Sequence, residues 1–551
     1  MGRAWVSSVL ILGASLMQLP AIMSAKELGL EVFLLDGNPK APYRAHGDHF
    51  KVADLKDVDK VVRVAKKWHK KKPFSGVFTA GTDFSYTVSC VAHALGIQGL
   101  SREVAYCASN KESMRECFKA HGVSSPSFYV TTIVPKQQSQ HLLGYPVVVK
   151  PVDNMGARGI RLCVNFKELV EGIKSSLFYS KSGKAIIEEY IQGDEYSIDS
   201  IVEHGEITIT GFAKRHIFFQ PWFIEMGHTI PARIDLDRYN AIVSEFKKGV
   251  KALGIDNGVA KGDMKWGRVS SCDTDSAYVG EIAARLSGGY MSGWSYPYSS
   301  GVELTKLALC IALGKRVTPI VPTKNLVCSE RAFISSPGVV KAIQIGKNDG
   351  LYDKARLKDI FIRVKPKDYV DFPTNNVEKC GNILYVDESY DTSSQKAQEI
   401  VQSILVRLEP NCQATKEWML YGKSNKKIPM QFHCSDDNNS LTLFSYMPKR
   451  NCSEGQSSIL FFGKELELTG MDWMGRNSQM LVKQLCKEGQ FLFSSTTLKK
   501  EQKDMGVALP SRLFYKVLEH GSHQGFYWLL DYLDLLFYKK RLQGFLKQWS
   551  S

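Results

Sequence analysis

Three short apolar runs near the N-terminus constrain the fold more than any other feature of the sequence. Trp5–Leu12, Glu31–Leu35 and Gly76–Thr79 each end in residues that make tight turns, namely Gly13-Ala-Ser15, Asp36-Gly-Asn-Pro39 and Ala80-Gly-Thr-Asp83. Between the first two, Leu19–Leu28 carries apolar residues at helical spacing. Strands that alternate with helices form a parallel sheet with helices on its faces, and the ligand crevice of such a sheet lies at the C-terminal ends of its strands. The turn at Gly13 serves equally as a phosphate-binding turn or as a turn that needs only small residues. Arg3, Val9–Leu12 and Met23-Ser-Ala25 imitate a secretory leader. The strand–turn–helix unit is the better account of the same residues.

From Tyr145 the pattern changes. Val147–Pro151 reads as a buried strand, Asp153–Gly159 as a flexible loop and Ile160–Val164 as the returning strand, together an antiparallel hairpin with a glycine-rich tip. Ala185–Ile191 and the alternating Gly193–Asp199 are further strands, and Tyr239–Leu253 has helical periodicity. Gly258–Trp266 and Ala277–Ile282 pair across the polar turn Gly267–Ser276. A chain of 551 residues is too long for one core. The expected domains are 1–108, 109–326, a smaller α+β segment over 327–409, and 410–551, whose fold and role the sequence does not reveal. The fold class is therefore multidomain, α/β in the first part and α+β after it.

Composition narrows the surroundings. The 71 basic and 56 acidic residues leave a net charge of +15, spread along the chain. That balance suits nucleic acid, an anionic surface or a phosphate-rich ligand and selects none of them; spread as it is, it also fits a solvated surface, and nucleic acid is not the expected partner. The 12 cysteines include no CxxC pair, which argues against a disulfide framework or zinc site and for a reducing cytoplasm. No run approaches the ~20 apolar residues of a membrane span. The aromatic run Phe526–Tyr538 is too short for one and is interrupted by Asp531 and Asp534, so it reads as a helix packed on the chain's own body or on a partner.

Candidate chemistry is concentrated in the middle of the chain. Lys150 follows three valines in a buried strand, and Lys111 opens a helix after Ser109-Asn110. Each alone reads as a surface lysine, whereas the two together can neutralise a polyphosphate. Gly156, Ala157, Arg158 and Gly159 offer backbone N–H groups and a guanidinium to phosphate oxygens. Glu188, Glu189, Tyr190 and Ile191 fit a hinge whose backbone pairs an adenine edge, and Glu195 can accept from a ribose hydroxyl. Asp263 and Glu281 fall on strands that should pair. Two carboxylates facing one cleft repel unless a cation lies between them, and Mg²⁺ takes one or two carboxylates plus phosphate oxygens. The alternative for each of these acids is an exposed strand residue in solvent.

These segments occur in a recognisable order: "LILGASLMQLPAI", "AKELGLEVFLLDGNP", "NK" at 110–111, "VVVKP", "GARGI", "EEYIQGDEYSID", "GDMKW" and "VGEIAARLSGG". In that order the sequence resembles the ATP-grasp superfamily, in the branch that includes biotin carboxylase, carbamoyl phosphate synthetase, the purine-pathway enzymes and L-amino-acid ligases. The resemblance covers residues 4–408. It implies a Rossmann-like pre-ATP-grasp domain, an ATP-grasp fold of two lobes, a small C-terminal α+β lobe and an extra C-terminal domain. It also implies ATP with Mg²⁺, or Mn²⁺ in its place. Lys111, Lys150 and Gly156–Gly159 would serve the phosphates, Glu188–Ile191 the adenine, Glu195 the ribose, and Asp263 with Glu281 the metal. Arg285 would bind the substrate carboxylate or its acyl phosphate. If the strand of Glu281 continues, Arg285 shares its face roughly 13 Å away at ~3.3 Å per residue. Ser287-Gly-Gly289 would let the chain pass close to substrate, and Tyr290–Tyr298 would line the pocket of the second substrate.

The implied activity is a ligase that activates a carboxylate as an acyl phosphate for attack by an amine. A bicarbonate-using carboxylase and a non-catalytic ATP-binding assembly protein are the alternatives. The expected partners are small-molecule carboxylates and amines, and a homo-oligomer is compatible with the sequence. Two departures from the family pattern stand out. Ala283 replaces an asparagine that many members carry, and Asp263 precedes Glu281 by a long 18 positions.

Overall fold

A computed structural model describes residues 7–346, 352–434, 459–462, 467–489, 492–494 and 507–533. The chain divides into two compact units, Met1–Glu330 with Val386–Ser393, and Arg331–Tyr385 with Ser394–Ser551.

The first unit opens with a four-stranded parallel sheet of order β3-β2-β1-β4, formed by β1 (Ser8–Leu12), β2 (Glu31–Asp36), β3 (His49–Val52) and β4 (Phe74–Phe78). Residues 5 and 6 of the expected first strand lie outside the described residues. The continuous apolar run of β1 has a simple cause. Val9 and Ile11 enter one core with Ala21, Ile22 and Ala25 of α1 (Leu19–Glu27). Leu10 and Leu12 enter a second core, with Val61 and Ala65 of α2 (Val58–His69) and Val91 of α3 (Ser85–Leu95). A strand covered on both faces cannot alternate in polarity. The turn after β1 is filled by the chain itself. A Cβ on Gly13 would lie 2.8 Å from the Gln18 side chain, and the buried Gln18 amide pairs with both backbone groups of Ala80 at 2.8 and 2.9 Å.

After α4 (Arg102–Cys107) and α5 (Lys111–Ala120) come two antiparallel sheets. The smaller has order β5-β8-β6-β7, from β5 (Phe128–Thr131), β6 (Val147–Pro151), β7 (Arg161–Cys163) and β8 (Ala185–Glu189). Val147, Val149 and Ile187 pack beneath Leu169 and Ile173 of α6 (Phe166–Tyr179). The larger includes the run β13-β12-β9-β10-β11, from β9 (Gln192–Glu203), β10 (Glu206–Phe218), β11 (Ile224–Ile230), β12 (Gly258–Arg268) and β13 (Ser276–Ala283). Tyr196, Ile198, Ala260, Met264 and Ile282 turn to one face, where Ile242, Phe246 and Val250 of α7 (Leu236–Ala252) cover them. By two-residue alternation the neighbours between them turn to the other face.

The second unit contains a three-stranded antiparallel sheet in which Gly338–Ile345 lies between Tyr369–Val370 and Ile404–Leu408. Its helices Gln413–Tyr421 and Ser511–Leu533 bury Trp418, Phe514, Tyr515 and Trp528. Of the aromatic run, Phe526–Tyr532 is buried, and residues 534–538 lie outside the described residues. No helix among the described residues is long and apolar enough to cross a membrane.

Candidate active site

The uncovered face of β9, β12 and β13 is a grid. Asp199, Lys261 and Ala283 are register partners across the three strands, and Ser197, Asp263 and Glu281 form the next row. Glu195 and Lys265 make a third. Every position in this patch faces away from α7, so the sheet's own pleat puts four acids and two lysines side by side. Three of the four acids, Glu195, Asp263 and Glu281, have a cation beside them and stay below the ordinary carboxylate value, whereas burial raises the Asp199 pKa. Asp263 pairs with Lys261 and, at 3.0 Å, with Arg215 of β10. Burial alone would raise the Asp263 pKa, but Arg215 and Lys261 outweigh it and hold it below the ordinary value. Glu195 sits 2.9 Å from Lys265 and 3.2 Å from Arg215. The remaining arm of Arg215 reaches Glu225 at 2.7 Å.

Glu281 faces Asp263 and takes Lys111 as its partner at 3.5 Å. Its pKa is also lowered: burial and the repulsion of Asp263 raise it, and the charges of Lys111, Lys261 and Arg285 together outweigh them. Lys111 reaches this point because Asn110 caps α5, accepting from Ser113 N at 3.0 Å, and so fixes the first residue of the helix. Its ammonium also donates to Asn154 O at 3.0 Å, at the base of the glycine loop. In that loop Gly156, Ala157 and Gly159 adopt positive φ, and a Cβ on Gly159 would meet the Tyr179 ring at 2.9 Å. Arg158 turns back onto Met155 O at 3.1 Å.

The smaller sheet supplies the other lysine. Lys150 lies 2.5 Å from Glu188 Oε2, and Arg115 lies 2.8 Å from Oε1. Glu188 is 1% exposed. Burial would raise its pKa, yet Arg115 and Lys150 hold it at about 2. Burial lowers the Lys150 pKa against the pull of Glu188. Arg115 also donates to Gly280 O at 2.5 Å, the residue before Glu281. It therefore ties the strand of Glu188 to the strand of Glu281. Further along, Glu189 accepts from Ser127 N at 3.2 Å, and Ile191 O accepts from Lys265 at 3.2 Å. A cavity of about 240 Å³ opens here, lined by Tyr190, Glu195, Lys214, Arg215, His216 and Phe223 among others. The Lys265 ammonium lies 5.2 Å from the Tyr190 ring centroid.

Arg285 departs from the expected strand geometry, because β13 ends at Ala283. The chain turns away because Ser287 N donates to Asp199 at 2.9 Å and Gly289 takes φ +60°. Arg285 donates to Leu286 O at 3.0 Å, and its buried Nε makes no hydrogen bond among the described residues. The glycines here also serve the chain's own packing, since a Cβ on Gly288 would stand 3.0 Å from Gly81 O. Behind Gly289, buried His228 lies 2.6 Å from Glu330 and 3.4 Å from Glu225. Burial would lower the His228 pKa, but the two carboxylates raise it to about 9. Of the Tyr290–Tyr298 stretch, Tyr290 and Tyr296 are buried, the latter over Gly211.

Among the described residues no group of three or more His, Cys, Asp and Glu side chains is placed to hold a metal. The facing Asp263–Glu281 pair nonetheless fits a hard divalent ion that completes its shell from phosphate and water, as Mg²⁺ does. Arg115, Arg215, Lys261, Lys265, Asp199 and His228 escaped the reading of the sequence. Lys261 and Lys265 flank Asp263 at two-residue spacing in "KGDMK", and Arg115 follows Lys111 by one helical turn, so those three carried a local signal.

Residues 143–269 match the ATP-grasp domain model. Over 395 residues the chain is 24% identical to the carbamoyl phosphate synthase large chain of Caldanaerobacter subterraneus subsp. tengcongensis, covering 69% of this chain and 33% of the relative. The chain spans about half or less of the length of the curated relatives it matches. Its fold is shared with an L-amino acid ligase from Bacillus licheniformis, with a TM-score of 0.63 at 21% identity over 73% of this chain and 99% of that one. The biotin carboxylase domain of the Hydrogenobacter thermophilus 2-oxoglutarate carboxylase, solved with MgADP, ADP and bicarbonate, superposes with a TM-score of 0.56 at 14% identity, covering 73% of this chain and 91% of that one. Residues 143–269 thus form an ATP-grasp domain, and the first three quarters of the chain share the fold of these solved structures.

Proposed function

We propose that the chain is an ATP- and Mg²⁺-dependent ligase that activates a carboxylate as an acyl phosphate and joins it to an amine. The observation that carries this reading is the 3.5 Å approach of Lys111 to Glu281. It brings an ammonium from one element and a carboxylate pair from another to a single point, as binding of a metal-chelated triphosphate requires. In this reading Lys111 and Lys150 exchange their carboxylate partners for phosphate oxygens, and the loop Gly156–Gly159 lies over them. The backbone of Glu188–Ile191 meets the adenine edge beside the cavity, and Glu195 accepts from the ribose. Asp263 and Glu281 hold the ion. Bound there, Mg²⁺ supplies neutralisation of charge on the transferred phosphoryl group. Arg285, with its buried Nε in want of an acceptor, takes the substrate carboxylate through its planar fork. The protein's own contribution is position and fixed charge, which suffices for phosphoryl transfer.

The fold shared with an L-amino acid ligase supports trying amino acids first. The test is ADP release by the full chain with MgATP across pairs of amino acids, other carboxylate–amine pairs, and bicarbonate. Release that needs a carboxylate and an amine together is expected. Release driven by bicarbonate alone, or indifferent to every pair, sinks the ligase reading.

A further inference from the structure

Lys261 is the residue of the grid that a metal-and-nucleotide site least obviously needs. It lies on β12 directly between Asp199 of β9 and Ala283 of β13, one row from the facing pair Asp263 and Glu281. It is 9% exposed and ion-paired to Asp263. Its charge also acts on Asp199 and Glu281. Four positions on the same sheet face, Lys261, Asp263, Glu281 and Ala283, thus form the corners of a square. Two corners are acids, one is an ammonium and one is a methyl. The methyl-bearing Ala283 is the register partner of Lys261, so that corner adds neither a ligand nor a charge to the square. A carboxylate pair with a triphosphate beside it carries enough negative charge to draw two divalent ions, which sit ~3.5–4 Å apart in two-metal sites. A buried ammonium among the same acids supplies one positive charge that cannot leave and cannot be a ligand.

We propose that Lys261 is the built-in second cation of this site, so that Asp263 and Glu281 bind one divalent ion with the nucleotide rather than two. The inference rests on the nucleotide reading above and adds a stoichiometry to it. The probe is Mn²⁺ titrated into the full-length protein saturated with a non-hydrolysable ATP analogue, with bound Mn²⁺ counted by electron paramagnetic resonance. Wild type is expected to bind one Mn²⁺ per chain. Lys261→Met is expected to bind two, the second more weakly, and Lys261→Arg to stay at one because a fixed cation remains. Two Mn²⁺ per wild-type chain overturns the proposal, and so does a folded Lys261→Met that still binds one. If Lys261→Met fails to fold, Lys261→Gln takes its place with the same expectation of two, and a count of one in it overturns the proposal. An ATP analogue that does not bind to wild type at any Mn²⁺ concentration overturns the nucleotide reading itself, a result distinct from a wrong count.

Discussion

Glu188 shows how unequal two partners of one carboxylate can be. Arg115 is 1% exposed and spends its guanidinium on Glu188 and Gly280, whereas the Lys150 side chain keeps about a fifth of its surface. Removing one partner of a buried ion pair costs about 3–5 kcal/mol when it strands the other charge. Arg115→Met should therefore cost stability on that scale in urea denaturation, and also loosen the strand of Glu281. Lys150→Met leaves Glu188 paired with Arg115, so its stability loss should be small while nucleotide affinity falls steeply. Equal losses of stability in the two variants would show that they are not ranked by burial. His228 adds a pH signature. Its folded pKa is raised to about 9 by Glu225 and Glu330, so its contribution is fully present below the unfolded value near 6.5 and is lost as pH rises through 9. The Glu225 side of this network is shared with Arg215, which stays charged throughout. Wild type should lose on the order of 2–3 kcal/mol more than His228→Gln between pH 7 and pH 10. Parallel stability–pH curves for the two proteins would remove His228 from the account.

The strands set the site by register, and register also decides what could be read beforehand. Gly211 of β10 lies opposite Asp199, and a Cβ there would fall 2.1 Å from the Tyr296 ring. Gly211→Ala should thus act as an overpacking substitution and cost at least about 1–3 kcal/mol. Adding Tyr296→Leu should recover part of the loss, and thermal melts of the single and double variants measure it. A double variant no more stable than Gly211→Ala would mean that the ring is not the obstacle. The pairing of β12 with β13 was legible because alternation brackets a polar turn, and with it came the facing of Asp263 and Glu281. Helix α5 was legible from Asn110. Arg285 was misplaced because nothing in "EIAARL" marks the end of the strand. That end depends on Asp199, more than 80 residues earlier, capturing Ser287 N. Arg215 and Asp199 were invisible for the same reason: their partners are chosen by which strands become neighbours, and that information is distributed over the whole sheet.

At the scale of the molecule, position 410 is not a seam. The residues on both sides of it belong to one compact unit, and a single buried acid explains part of its cohesion. Asp531, on the helix Ser511–Leu533 and 5% exposed, receives the Arg407 guanidinium at 2.5 and 2.6 Å and the Lys341 ammonium at 2.8 Å. Arg407 and Lys341 lie on the adjacent strands Ile404–Leu408 and Gly338–Ile345. Trp418 adds a second tie, donating its indole N–H to His520 O at 2.8 Å. Truncation after Pro410 removes the acid and leaves two cations on a sheet stripped of its apolar cover, so the shortened chain should be poorly soluble and rapidly proteolysed beyond residue 330. Asp531→Asn isolates the charge from the cover. It keeps the shape but leaves Arg407 and Lys341 without an anion, and should cost about 3–5 kcal/mol by the stranded-charge argument. Asp531→Leu together with Arg407→Leu and Lys341→Met should recover much of that loss, since replacing a buried ion cluster by apolar side chains is often neutral or stabilising. Limited proteolysis and urea denaturation of the three variants supply the measurement. A truncated chain that stays soluble and resists protease as the full chain does would show that the residues beyond 410 form an independent appendage rather than half of a shared core.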